Sequence, residues 1–288
     1  MKKFLTMILA LAMMMSLAAC GSSSDEKKNS EPSAGETVTD DTNAAGDQAG
    51  AAEPAAVETV EEGKLIMSTN AQFPPYEMLA DDGSFEGIDV EVAGLIAEKL
   101  GLELEVQDMG FTACLEAVQN GRSDIAMAGI TVNEERLVSM DFTESYATGV
   151  QVVVVPEGSP IETPDDLVDA KLIGTQEGTT GYIFCSDTPE NGGYGEDHVV
   201  AYEDGAVAIQ ALLSGKVDCM VIDNEPAKAY VAANPGLKIL DTEFAVEDYA
   251  IAVKKGNSQL QEAVNGALKE LQEDGSIQKV VDKYISAN

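Results

Sequence analysis

From Gly63 onward the chain alternates short apolar runs with helix-length segments, and it does so in two successive series. The runs at 64–69, 102–106 and 124–128 read as strands, because each is short and bounded by glycine or turn residues. Between them, 87–101 has the apolar spacing of an amphipathic helix and stops at Gly101, and 111–120 repeats that pattern before Gly121. A β-branched run at 151–156 and a short helix begun by Thr163-Pro164 lead into the second series. There the strands fall at 171–174, 199–202 and 217–223. The helices are one entered through the turn 178–181, one at 204–214 and one at 225–234. A strand at 249–253 and helices at 257–273 and 276–285 follow. Strand–helix–strand alternation of this kind specifies α/β layers with mostly parallel strands. The expectation is two such layers and a returning tail.

Charge and rare residues narrow the chemistry. The formal net charge is −34, which argues against nucleic acid as a partner, since phosphate binding needs a basic surface. The single histidine, His198, argues against a Ser-His-Asp triad or a multi-histidine zinc site. Cys20, Cys114, Cys185 and Cys219 are widely spaced and contain no CxxC, so neither a metal nor a redox motif is supported and no cofactor is expected. Cys114, Cys185 and Cys219 read as buried apolar fillers or free thiols, with a Cys185–Cys219 disulfide left open.

The N-terminal region reads as targeting and tether. Lys2 and Lys3 precede an apolar run over 4–17 that is short for a membrane span. The run ends Leu17-Ala18-Ala19-Cys20-Gly21, which resembles a bacterial lipobox. On that reading residues 1–20 are a lipoprotein signal peptide and Cys20 carries the lipid that anchors the chain to the membrane. Residues 21–62 are almost without large apolar side chains and read as a disordered acidic tether.

The residues with chemistry to offer cluster at strand ends. Thr131 and Glu134 have capping-box spacing, so a helix is expected from Thr131, with Arg136 about one turn in. A helix start beside an arginine fork makes a carboxylate receptor. Asp223 closes its strand at the carboxyl end, where open sheets place ligand groups. Two prolines within 73–77 make a stiff loop expected to display Phe73 and Tyr76.

Several ordered motifs then resemble the family 3 extracellular solute-binding proteins, the amino-acid receptors of ABC importers. They are Phe73-Pro-Pro-Tyr-Glu77, Gly87-Ile-Asp89, Asn120-Gly-Arg-Ser-Asp124, Thr131-Val-Asn-Glu-Glu-Arg136, Asp141-Phe-Thr-Glu-Ser-Tyr146, Glu177-Gly-Thr-Thr180, Leu213-Ser-Gly-Lys-Val-Asp218 and Lys254-Lys-Gly-Asn257. The resemblance covers Gly63 to the C-terminus. It implies a two-lobe periplasmic-binding-protein-like α/β fold of type II, with a ligand cleft between lobes joined by two hinge crossovers. Lobe 1 is expected over 63–150 plus 246–288 and lobe 2 over 151–245. The crossovers are expected near Gln151 and Ala250.

By the same resemblance Arg136 clamps the ligand α-carboxylate, with Thr179 and Thr180 meeting it at a helix N-terminus. Asp223 takes the α-ammonium. Ala128 shares that ammonium through its carbonyl and Thr131 adds a hydroxyl, with Gly129 between them. Phe73 and Phe111 pack on the ligand side chain, and Asn70, Gln176 and Glu177 lie where they can face it. Family members that bind basic amino acids often carry an aspartate where this chain has Asn70, so a polar uncharged L-amino acid is favoured and a basic one comes next. The expected function is a lipid-anchored, monomeric receptor feeding the membrane subunits of an ABC permease. The alternative is an enzyme, since cyclohexadienyl and arogenate dehydratases resemble the same family; Glu177 would then be the proton donor.

Overall fold

In a computed structural model of the chain, residues 57–241 and 243–285 are described. The expected signal peptide, Cys20 and the expected tether through residue 56 lie outside the described residues. Residues 57–62, assigned above to the tether, are tied to the fold: the Val60 N–H donates to Asp124 Oδ1 at 2.7 Å and Val57 packs on the core.

The first series is β1 (Lys64–Thr69), then β2 (Gln72–Phe73), β3 (Glu77–Leu79) and β4 (Phe85–Glu86), then α1 (Ile88–Leu100), β5 (Glu103–Asp108), α2 (Phe111–Gln119), β6 (Ile125–Ala126) and α3 (Glu134–Ser139). β7 (Met140–Pro156) runs for 17 residues into the second series. That series holds β8 (Ile173–Gln176), α4 (Thr180–Ser186), β9 (Val199–Tyr202), α5 (Gly205–Leu213), β10 (Cys219–Asp223), α6 (Asn224–Ala233) and β11 (Leu237–Ile239). β12 (Ala245–Lys254), α7 (Ser258–Glu273) and α8 (Ser276–Tyr284) follow.

One sheet contains most of the strands, in the order β5-β1-β6-β12-β7-β10-β8-β9, with β11 on β7. β5, β1 and β6 are parallel, and so are β10, β8 and β9. Between these blocks β7 and β12 run antiparallel to each other, from Ala245 opposite Gln151 to Lys254 opposite Met140. Two parallel half-sheets are therefore joined through two long antiparallel strands. β2, β3 and β4 form a separate antiparallel ribbon.

Strand alternation explains how the core divides. Val152 and Val154 of β7 share one apolar cluster with Met220 and Ile222 of β10, while Val153 and Val155 face another with Cys219 and Val221. Both faces are buried, so these stretches read as unbroken apolar runs. Cys114, Cys185 and Cys219 are buried free thiols; Cys185 and Cys219 share the second cluster without a bond between them.

Two local expectations fail. The helix expected at Thr131 begins at Glu134 instead, capped by Asn133, whose side chain accepts from the Arg136 N–H at 2.8 Å. Thr131 stays extended because it bridges Tyr249, and the Val132 N–H donates to the Asp248 carbonyl. Pairing with β12 thus outcompetes the local capping pattern. Phe73 and Tyr76 are buried rather than displayed, and Tyr76 meets the Tyr249 ring edge-on at 5.3 Å.

Candidate functional site

The carboxyl ends of the two half-sheets meet over one small cavity. All eleven residues expected to hold a ligand line it. Asn70, Phe73, Phe111, Ala128, Gly129, Thr131 and Arg136 come from the first series. Gln176, Thr179, Thr180 and Asp223 come from the second, and Glu77 is a twelfth lining residue. The cavity offers about 20 Å³ to the centre of a water-sized sphere, room for about one water. A groove of about 570 Å³ runs along the outer side of Arg136 and Gly178 but touches only that one of the eleven.

Arg136 is the cation of the site. The capped start of α3 fixes its backbone, and its guanidinium lies 5.4 Å from the Phe111 ring centre. Nη1 donates to the Thr131 carbonyl at 2.7 Å, and Nη2 reaches across to the Gly178 carbonyl at 3.0 Å. Burial lowers its pKa to about 10, against the opposing pull of Glu247, Glu135 and Asp223, so it remains charged near neutrality.

Asp223 faces it from the end of β10. It sits at the N-cap position of α6, yet its side chain caps nothing. It accepts instead from Gln151 Nε2 at 2.7 Å and from the Tyr249 hydroxyl. Burial, helped by the nearby Glu247 charge, pushes its carboxyl up to about 7 despite those hydrogen bonds. Thr179 does cap: its hydroxyl accepts from the Tyr182 N–H at 3.4 Å and donates to the Gln176 carbonyl at 2.8 Å. Gln176 Nε2 meets Asn70 Oδ1 across the cavity at 3.0 Å. Gly129 needs to be glycine twice over: its φ is +54°, and a Cβ there would stand 2.8 Å from the Phe73 ring. Its N–H donates to Asp89 Oδ2 at 3.1 Å.

Two carboxylates escaped the sequence reading. Glu77, at the start of β3, lines the cavity. Glu247, on β12, accepts at one oxygen from the Thr131 hydroxyl (2.9 Å), the Thr180 hydroxyl (2.9 Å) and Gln151 Nε2 (3.2 Å). The available signal was an acidic residue inside a strand, and it names no partner until distant strands pair. Glu177, the proton donor of the enzyme alternative, is exposed and does not line the cavity.

The comparisons with known proteins fit this arrangement. The family description "Bacterial extracellular solute-binding proteins, family 3" matches residues 65–287. A probable histidine-binding protein of Neisseria gonorrhoeae is 31% identical, over 82% of this chain and 89% of its own. The arginine-binding extracellular protein ArtP of Bacillus subtilis (strain 168) is 29% identical over 99% of both chains. A solved ancestral arginine-binding protein bound to arginine is 37% identical, with a TM-score of 0.72, over 78% of this chain and 99% of its own. Curated relatives are binding proteins rather than enzymes, and the solved neighbours have the two-lobe periplasmic fold. This chain belongs to the bacterial extracellular solute-binding proteins, family 3, and is a non-enzymatic α/β binding protein of the kind that serves amino-acid ABC transporters.

Proposed function

We propose that the protein is a lipid-anchored extracytoplasmic receptor that captures one L-amino acid by lobe closure and hands it to an ABC permease. The observation that carries this reading is the arrival of Arg136 and Asp223, from opposite halves, on one cavity. A zwitterion has one group for each. The guanidinium fork takes the α-carboxylate, with Thr179 and Thr180 meeting it at the start of α4 and Thr131 adding a hydroxyl. Asp223 and the Ala128 carbonyl take the α-ammonium. Phe73 and Phe111 flank the side chain, which meets Asn70 and Gln176 at its far end. A ligand held by both halves binds the closed state more strongly than the open one, and that difference drives closure.

The lobes comprise 63–150 plus 246–288, and 151–245, with β7 and β12 as the crossovers. The 17-residue length of β7, paired with β12 at one end and β10 at the other, supports that division. The Leu17–Gly21 sequence supports lipidation at Cys20, and the acidic tether keeps the receptor near its permease at high effective concentration.

A thermal-shift screen of the purified chain against the twenty L-amino acids tests the receptor. A cognate ligand at 100 times its Kd stabilises by about 2.7 kcal/mol. No shift with any of them overturns the reading. Cys20→Ala should move the cell-expressed protein from the detergent phase to the aqueous phase; unchanged partitioning removes the anchor from the proposal.

A further inference from the structure

Gln151 does not line the cavity, yet the fold converges on it. It is the residue of β7 at which two ladders meet, with Asp223 of β10 opposite on one side and Ala245 of β12 on the other. Its carbonyl accepts from the Phe244 N–H at 2.7 Å. A glutamine only 1% exposed at such a point brings a polar amide into the interior, and that amide needs partners.

Its amide nitrogen has two hydrogens, and each goes to a different carboxylate. One reaches Asp223 Oδ2 at 2.7 Å and the other Glu247 Oε2 at 3.2 Å. The amide faces only this way, since turning it over would set its oxygen against both acids. The oxygen lies instead near the start of α4, 3.1 Å from where a Cβ on Gly181 would stand. It is buried with no hydrogen-bond partner among the described residues, so the arrangement favours the two bonds of the nitrogen over any bond to the oxygen.

Donation to Asp223 has two effects. With the Tyr249 hydroxyl on Oδ1 and the amide on Oδ2, both oxygens are tied and the plane of the carboxylate is set. The remaining lone pairs are left for an incoming ammonium. The amide also favours the ionised form, against burial and the Glu247 charge, which both push the carboxyl up. The other titratable or charged groups around Asp223 are Tyr249 of β12, Arg136 of α3, and Tyr76 and Glu77 at the ribbon. Arg136 is the one cation among them, and its guanidinium is engaged by the Thr131 and Gly178 carbonyls.

We infer that Gln151 is the positioning residue of the ammonium subsite: it holds the Asp223 carboxylate in place for the ligand and offsets the Glu247 charge that faces it. This rests on the amino-acid-receptor reading and names the residue that prepares Asp223 for its part in it.

The test is calorimetric titration from about pH 6 to about pH 9, with the amino acid that raises the wild-type melting midpoint most in the twenty-member screen. Gln151→Met keeps the length of the side chain and removes the donor. Its affinity should fall about tenfold below wild type at about pH 6, as a one-unit rise at Asp223 requires, and the gap should close by about pH 9. Adding Glu247→Gln should bring the profile part of the way back, because the opposing charge is gone. Damage to the fold alone weakens binding by one factor at every pH, so a parallel profile overturns the proposal, as does wild-type affinity throughout. A double variant whose profile does not return overturns the offsetting of Glu247. If Gln151→Met does not fold, Gln151→Asn, whose amide is one methylene short of both acids, should show the same displaced profile, and a parallel one is equally fatal. Silence of the wild-type protein with all twenty amino acids ends the receptor reading itself, whereas wild-type binding with a parallel profile in the variant ends only the role of Gln151.

Discussion

Burial holds the Asp223 carboxyl near 7 and the Asp89 carboxyl near 6, both above the ordinary aspartate range. Between the unfolded and folded values the native state binds more protons, so stability falls as pH rises. The contribution is full below about pH 4 and is lost as pH passes about 6 for Asp89 and about 7 for Asp223. The ligand-free protein should therefore melt higher at about pH 5 than at about pH 8, and Asp223→Asn should flatten that slope. A melting temperature that climbs over the same interval contradicts the burial argument. Binding has the opposite dependence, because an ammonium needs ionised Asp223. Affinity should drop about tenfold per unit below pH 7. Arg136→Ala should cost about 2–5 kcal/mol of binding free energy, read by titration, with the circular dichroism spectrum unchanged.

The element that positions Asp223 is the β7–β12 pair. Gly149 of β7 stands opposite Glu247 of β12, and a Cβ on Gly149 would overlap the Tyr249 ring. Tyr249 in turn donates its hydroxyl to Asp223. Gly149→Ala should destabilise by about 1–3 kcal/mol through overpacking and weaken binding by displacing that hydroxyl. An unaltered midpoint in urea would show that the ring has room to move. This pair also marks the limit of reading the chain by eye. Gln151–Pro156 announced itself through four consecutive valines, but Met140–Val150 did not, because its exposed Glu144 and Ser145 break the apolar pattern. The three-residue β11 and the proline-bearing ribbon are too short for any period. The positions of Arg136 at a helix start and Asp223 at a strand end were legible because such ends have local signatures. Thr131 was misassigned because its capping pattern competes with a bridge to Tyr249, more than a hundred residues away. Glu77 and Glu247 carry no local signature, since their surroundings come from other strands.

In the molecule as a whole, direct hydrogen bonds cross between the halves. Arg136 reaches the Gly178 carbonyl, Gln176 reaches Asn70, and Glu247 gathers the Thr131 and Thr180 hydroxyls from opposite sides. On the proposed binding mode the ligand carboxylate takes up the same hydroxyls, so Glu247 competes with it for them. With room for only about one water, the cavity admits an amino acid only after these contacts part. Binding must then draw on an open population, and the apparent affinity is reduced by the fraction of molecules that are closed. Glu247→Ala removes the shared acceptor and should raise that open fraction. Small-angle scattering of the ligand-free variant should give a larger radius of gyration than the wild type, and saturating amino acid should return it to the wild-type bound value. Association should be faster in the variant, since less of the protein is closed against entry. An unchanged radius of gyration together with an unchanged association rate would mean that Arg136 and Gln176 hold the halves closed by themselves, and that Glu247 only satisfies the hydroxyls beside it.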